Sequence, residues 1–158
     1  MAETGERSEA AALTGGCMCG TVRWELSEPP IGSAYCHCKR CQRRTGTSVS
    51  VSALAPAAAF RVTTGEQAIR HYAPETGWHK YFCGQCGSAL FTRNPDDDEV
   101  IGMRMGGFDD DPGVRPAFHQ FTAYAPAWAP VPDDGLPRFE ERADYTKAAE
   151  EEIRKRSG

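Results

Sequence analysis

Seven cysteines fall into three short clusters, a spacing that is typical of thiolates that bind metal. The clusters are Cys17-x-Cys19, Cys36-x-Cys38-x2-Cys41 and Cys83-x2-Cys86. Two thiolates a few residues apart can reach one tetrahedral zinc ion at little cost in loop-closure entropy. Glycines flank the first and third clusters and permit the tight turns that such chelating loops need. We therefore predict that these cysteines bind zinc.

The odd number of cysteines predicts two metal ions rather than a set of disulfides. Six cysteines could pair and leave the seventh alone, whereas seven thiolates divide into a closed set of four and an open set of three. Spacing alone leaves open which clusters share an ion, but the most economical partition gives the two pairs to the closed site. The pairs are Cys17/Cys19 and Cys83/Cys86, and the open set is Cys36, Cys38 and Cys41. Three ligands with an exchangeable fourth position are expected of a reactive zinc.

Two other interpretations of the cysteines stay open. They could be buried small side chains or incidental thiols, although three clusters together favour metal. The segment Cys83-Gly84-Gln85-Cys86 also has the spacing of a redox dithiol. Motifs of that type usually open a helix, whereas the residues around this one predict a turn between two strands, which favours structural zinc.

Composition and charge indicate one domain in a reducing compartment. The chain has 158 residues and 40% hydrophobic content, which suits a single compact domain. No apolar run approaches the roughly 20 residues of a membrane span, and residues 1–14 lack a basic, apolar secretion signal. A net charge of -4 gives no general attraction to nucleic acid. We expect a cytoplasmic protein without membrane or nucleic-acid partners, and leave its oligomeric state open.

Short strands are predicted to position the cysteines. Stretches with alternating or β-branched residues are bounded by Gly, Pro or Asp turns. They are 21–26, 48–54, 60–63, 68–72, 78–83, 88–92, 100–105 and 118–124. Residues 1–12 are predicted to form a disordered arm, residues 13–142 the domain, and residues 143–158 a C-terminal helix or tail. The sequence therefore predicts a mainly β fold with a short C-terminal helix.

Several separated motifs occur in an order that matches a known family. They are Gly16-Cys17-x-Cys19-Gly20, Cys36-His37-Cys38-x2-Cys41-x2-Arg44-x-Gly46, Phe82-Cys83-x2-Cys86-Gly87, Pro116-x2-His119, Trp128 and Leu136-Pro137. Over residues 13–141 the chain resembles the glutathione-dependent formaldehyde-activating enzymes, a family that includes centromere protein V. Unlike centromere protein V, it has only a short acidic arm before Cys17, so a chromatin role finds no support.

The resemblance implies a β-tent fold of short antiparallel strands with two zinc ions. One would be structural, on the four paired cysteines, and one catalytic, on Cys36, Cys38 and Cys41. The family's named activity joins formaldehyde to glutathione and is classed as a carbon-sulfur lyase. Arg44 and His119 become candidate substrate-binding residues, whereas His37, between two ligands, is expected to be structural.

Three thiolates on one zinc ion leave an excess of negative charge, which suits thiol binding better than carbonyl polarisation. A deprotonated substrate thiol, such as that of glutathione, could then attack formaldehyde. The basic residues beside the ligand loop could offset this charge or hold substrate carboxylates. They are Lys39, Arg40, Arg43 and Arg44. The alternative hypothesis is a non-catalytic binding module in which both zinc ions are structural.

Overall fold

The computed structural model describes residues 12–144 and residue 154. The predicted mainly β fold is confirmed, since ten strands and one α-helix form within residues 12–144. The strands are β1 (Leu13–Gly16), β2 (Arg23–Leu26), β3 (Gly32–Cys36), β4 (Ser50–Pro56), β5 (Phe60–Thr64), β6 (Ile69–Tyr72), β7 (His79–Cys83), β8 (Ala89–Asn94), β9 (Asp97–Arg104) and β10 (Pro116–Gln120), and the helix is α1 (Lys39–Thr45).

The strands form two sheets. The small sheet has the order β1-β2-β5, and the large sheet has the order β10-β3-β4-β9-β8-β7-β6. The predicted antiparallel pairing holds for every neighbouring pair among the described residues except β3 and β10, which run parallel. A parallel pair needs a long connection, and here the chain between the two strands forms most of the large sheet.

The hydrophobic core lies between the two sheets. Trp24 from the small sheet is 1% exposed and packs with Phe91, Ile101 and Met103 from the large sheet. Gly15 on β1 leaves the room for its ring, because a Cβ atom there would lie 2.3 Å from a Trp24 ring carbon. Each large apolar side chain buried in this way contributes about 2–3 kcal/mol to folding. The core therefore fixes the small sheet on the large one and sets the position of the β1–β2 turn.

Each predicted strand overlaps an observed strand, but three elements near the cysteines were missed. β1 and β3 are rich in Gly, Ser and Ala, so their sequences carry little strand propensity and tertiary pairing forms them. Helix α1 has too few apolar residues for a periodic signal and begins at its cap, Cys38. The prediction of strand for 121–124 was wrong, because Phe121 has a φ of 57° and a 3-10 turn follows.

The predicted N-terminal arm and C-terminal helix fall almost entirely outside the described residues. Of those segments only residues 12, 143, 144 and 154 are described. None of the helices in the described part of the chain has the length and apolar character to cross a membrane.

Candidate metal centres

The first pair of cysteines lies in the tight turn that joins β1 to β2. The Cys17 N–H donates to the Val22 carbonyl over 3.1 Å, and the Gly20 N–H donates to the Cys17 carbonyl over 3.2 Å. Gly20 has a φ of 80°, a left-handed conformation that glycine adopts without strain. The turn brings the sulfurs of Cys17 and Cys19 to 3.5 Å from each other.

The second pair lies in the turn between β7 and β8, which has closely similar backbone hydrogen bonds. The Cys83 N–H donates to the Ser88 carbonyl over 2.9 Å, and the Gly87 N–H donates to the Cys83 carbonyl over 2.8 Å. The two turns also bind each other, since the Met18 N–H donates to the Ser88 hydroxyl over 2.9 Å. Two chelating turns thus face each other, one from each sheet.

The four-cysteine cluster, Cys17, Cys19, Cys83 and Cys86, has the spacing of a closed zinc site. Its four sulfurs lie within 4.8 Å of one another, and those of Cys19 and Cys83 are 3.9 Å apart. A zinc ion about 2.3 Å from each of four tetrahedral sulfurs would hold them about 3.8 Å apart, so the group fits this ion. A metal bound here would join the small sheet to the large one.

Hydroxyl groups beside two of these sulfurs favour the thiolate form. The Ser88 hydroxyl lies 3.2 Å from the Cys86 sulfur, and its hydrogen bond, together with backbone N–H groups, lowers the pKa of Cys86 to about 5. The Thr21 hydroxyl lies 3.2 Å from the Cys19 sulfur and lowers the pKa of Cys19 in the same way. Because metals bind thiolates and not thiols, both turns are prepared for a metal ion.

The three-cysteine cluster, Cys36, Cys38 and Cys41, lies where β3 ends and α1 begins. Cys36 is the last residue of β3, and the Cys38 sulfur caps α1 by accepting the Cys41 N–H over 3.4 Å. A Cys-x2-Cys pair that opens a helix is typical of redox dithiols, and although the spacing of Cys38 and Cys41 is visible in the sequence, the helix that they open was not predicted. All three sulfurs lie within 4.8 Å of one another, however, which favours a shared metal over a pair of thiols.

Negative charge concentrates on Cys41. Hydrogen bonds from the thiols of Cys36 and Cys38 hold the pKa of Cys41 far below its usual range, and the charge of Arg104 adds to the effect. The corresponding hydrogen bonds raise the pKa of Cys36. The first thiol proton is therefore lost most readily from Cys41, and metal binding would release the remaining thiol protons.

The three sulfurs fit a zinc ion that keeps one position for another ligand. Within residues 12–144, no fourth His, Cys, Asp or Glu side chain joins this group. Three protein ligands with one exchangeable position are the arrangement of catalytic zinc, whereas four thiolates close a structural site. The two clusters thus match the predicted division of the cysteines into four and three.

A cavity of about 320 Å³, here called the thiol cavity, opens in front of the three-cysteine cluster. All three cysteines line it, together with apolar Leu54 and Trp78 and the hydroxyl-bearing Ser50 and Ser52. The Ser50 hydroxyl is buried near the Cys41 sulfur and helps to lower the pKa of that thiol. The volume is at the lower end of small-molecule sites, so the cavity suits the reacting end of a small substrate.

Two cations beside these thiols come from distant strands. Lys80 on β7 and Arg104 at the end of β9 both line the thiol cavity, and Arg104 donates to the Ser52 hydroxyl over 3.0 Å. Burial lowers the pKa of Lys80, while the nearby charge of Cys41 opposes this change. Sequence reasoning missed both residues because strand pairing alone brings them to the cysteines; no local motif contains them.

Arg44, a predicted substrate-binding residue, lies partly buried next to the cluster. One of its terminal nitrogens donates to the carbonyls of Tyr81 and Phe91, over 2.8 and 3.3 Å, and so attaches α1 to the large sheet. The other is buried without a hydrogen-bond partner among the described residues. Burial lowers the pKa of Arg44 to about 9. Its contact with substrate stays a prediction.

His119, the other predicted substrate-binding residue, belongs to a buried chain of hydrogen bonds behind the ligand loop. Its Nε2 lies 2.8 Å from an Asp134 carboxylate oxygen, and its Nδ1 lies 2.9 Å from His37 Nε2. A carboxylate only accepts, so His119 donates from Nε2, and in the neutral form of its ring Nδ1 accepts from His37. Asp134, which reaches His119 from a loop, was not predicted from the sequence. Whether His119 contacts substrate stays a prediction.

The hydrogen bonds of His37 hold the segment between Cys36 and Cys38 in place. Burial lowers the pKa of His37, so the ring adds no positive charge. The His37 N–H donates to the Gln120 carbonyl over 3.1 Å, and the Gln42 side-chain amide donates to the His37 carbonyl over 2.8 Å. His37 therefore fixes the backbone between Cys36 and Cys38, as the sequence suggested.

Comparison with known proteins gives consistent matches. The sequence model of the glutathione-dependent formaldehyde-activating enzymes matches residues 12–124. A Halomonas elongata protein named as a candidate glutathione-dependent formaldehyde-activating enzyme is 26% identical over 126 residues, which are 75% of this chain and 80% of the relative. A solved structure of a Rhodobacter sphaeroides protein has a TM-score of 0.52 and 23% identity, and covers 80% of this chain and 98% of its own. The last match supports the fold alone.

Proposed function

Because the chain belongs to the family of glutathione-dependent formaldehyde-activating enzymes, we propose that it adds a small thiol, glutathione in the first instance, to formaldehyde. The product is a hydroxymethyl thioether, and the reverse reaction is that of a carbon-sulfur lyase. One observation supports this most directly: three thiols without a fourth protein ligand, among residues 12–144, line a cavity that also contains Lys80 and Arg104.

The three-cysteine cluster would hold zinc, which would supply a position that favours a thiolate over a thiol. A substrate thiolate adds negative charge to a site already rich in it, and Lys80 and Arg104 stabilise that charge. The thiolate sulfur attacks the carbonyl carbon of formaldehyde, a C–S bond forms, and the carbonyl oxygen takes a proton. The S–H bond is added across the C=O bond, and no oxidant or reductant is consumed.

The four-cysteine cluster has a different proposed role. Its four sulfurs lie within 4.8 Å of one another. Two of its residues, Cys17 and Cys83, belong to the hydrophobic core and are 9% and 0% exposed. We assign it a structural zinc, which gives two ions per chain. The seven free thiols fit a reducing compartment, so we propose that the protein works in the cytoplasm.

The test is formaldehyde consumption by zinc-loaded protein in the presence of glutathione. We expect consumption well above that of glutathione alone, and loss of the increment in Cys36→Ser. Ser27→Ala, whose hydroxyl lies in a turn on the small sheet, should match the wild type. If neither glutathione nor any other thiol raised consumption above the uncatalysed rate, the proposed reaction would be wrong and a non-catalytic zinc module would be favoured.

A further inference from the structure

A second and larger cavity adjoins the thiol cavity on the outer side of α1. It has a volume of about 730 Å³ and lies between α1 and the chain around β6 and β7. Arg40 and Lys80 line both cavities, so the two spaces meet at these side chains. We call the second cavity the basic groove, after its lining residues Arg40, Arg43, Arg44 and Lys80.

The charge of the basic groove is opposite to that of the whole chain. Four cations and a single acidic residue, Glu75, line it, whereas the chain has a net charge of -4. Tyr72, which is 64% exposed, adds an aromatic surface at the rim. A concave surface with excess positive charge and an apolar rim suits an anionic ligand that has an apolar or amide part.

Arg40 and Arg43 form the outer part of this surface. They are three positions apart on α1, so they share one face of the helix. Arg40 donates to the Thr76 carbonyl over 2.7 Å, which fixes its guanidinium while other N–H groups remain for a ligand. Arg43 is exposed, and its side chain has no hydrogen bond or ion pair among the described residues. One arginine is thus held in place at the junction of the cavities, and the other is available at the surface.

Given the proposed function, on which this inference rests, we propose that Arg40 and Arg43 bind the carboxylates of the thiol substrate. The sulfur of such a substrate would enter the thiol cavity while its carboxylates stay in the basic groove. The substrate class is then thiols that carry carboxylates, with glutathione as an example. Arginine suits this task because its planar guanidinium can bind a carboxylate through two parallel hydrogen bonds.

The test compares glutathione with glutathione diethyl ester, whose carboxylates are neutralised. In zinc-loaded wild type, we expect glutathione to have a kcat/KM at least about tenfold higher than the ester, from the loss of charge-assisted hydrogen bonds. In Arg40→Gln/Arg43→Gln, the KM for glutathione should rise about tenfold with little change in kcat, and the ester should react as before. Lys39→Gln is the matched control, because Lys39 lies on the same helix, donates to Gln42 and lines neither cavity.

Calorimetric binding of the two thiols, without formaldehyde, separates this inference from the proposed reaction. If no thiol were turned over, but glutathione bound more tightly than the ester and the double variant removed the difference, the reaction would be wrong and the carboxylate site would stand. If both thiols reacted and bound equally well, or if the double variant weakened both equally, the carboxylate site would be wrong. An effect of Lys39→Gln as large as that of the double variant would also overturn it, because the loss of any positive charge on α1 would then explain the result.

Discussion

The two cysteine clusters bring their sulfurs together from different parts of the fold. The four-cysteine cluster gathers sulfurs from the turns of two hairpins in different sheets, far apart in the sequence and joined to the core. The three-cysteine cluster gathers its sulfurs from one short segment at the junction of β3 and α1, in front of the thiol cavity. The first cluster adds a connection between turns from two different sheets, whereas the second connects residues that are already close in the sequence.

The groups that surround the two cysteine clusters also differ. Neutral hydroxyls and backbone N–H groups lie beside the four-cysteine cluster, for example Ser88 and Thr21. Cationic side chains, Lys80 and Arg104, lie beside the three-cysteine cluster and line its cavity. Four thiolates on zinc need no further ligand, while three thiolates with nearby cations can accept another anionic sulfur. We infer that the first cluster provides stability and the second reactivity.

The largest expected effect is on stability, from Cys83→Ser. Cys83 is fully buried and belongs to both the core and the four-cysteine cluster, so its loss should weaken the metal site and the contact between the sheets. Because a structural metal contributes its binding energy to folding, we expect Tm to fall by more than about 10 °C. Thermal unfolding with zinc analysis measures this. A Tm within about 3 °C of the wild type would show that this cluster is not structural.

Cys38→Ser should show the opposite behaviour. Removing one of three ligands should lower the activity at least about a hundredfold, and zinc content by one equivalent. Tm should stay within about 5 °C of the wild type, because this cluster joins residues that are already neighbours in sequence. Assay and unfolding of the same preparation check both. A fall in Tm as large as that of Cys83→Ser would place structural zinc at both clusters.

Arg104→Gln should have a moderate effect that depends on pH. Besides the Cys36 and Cys38 thiols, Arg104 lowers the pKa of Cys41, so its loss should raise that pKa. Activity should fall about tenfold, and more at low pH, so that the acidic limb of the pH profile moves to higher pH. Arg61→Gln is the control, since Arg61 forms an exposed ion pair with Glu25 on the small sheet. An unchanged acidic limb would show that Arg104 does not affect the ionisation of Cys41.

The smallest effect is expected for Ser88→Ala, and only on zinc retention. The Ser88 hydroxyl is the largest of several hydrogen bonds that together lower the pKa of Cys86 from its ordinary value of 9.0 to about 5, so protons compete only weakly with zinc for this sulfur between these two pH values. A depressed thiol pKa favours the folded, metal-bound state above the ordinary pKa, and this advantage is lost as the pH falls towards 5. Without Ser88, zinc should leave the four-cysteine cluster at a higher pH during acid titration. Release at the wild-type pH would exclude a role for this hydroxyl.

The sequence predicted the parts of these sites that are local. Chelating turns such as Cys17-x-Cys19 can be recognised in the sequence, because the cysteine spacing and the flanking glycines lie within a few residues. Lys80 and Arg104 could not be predicted, since only the register of β4, β9, β8 and β7 brings them to Cys41. The contact of Asp134 with His119 could not be predicted either, because Asp134 reaches His119 from a loop. Motifs thus identified the cysteine clusters, and the fold supplied the charges around them.

Stepwise removal of zinc from fully loaded protein tests the division of labour between the clusters most directly. A chelator should remove one equivalent rapidly, with loss of activity and no change in circular dichroism, and the second equivalent should leave only as the protein unfolds. Release of both equivalents together with unfolding, or loss of one equivalent with full activity retained, would contradict a closed site of four sulfurs beside an open site of three.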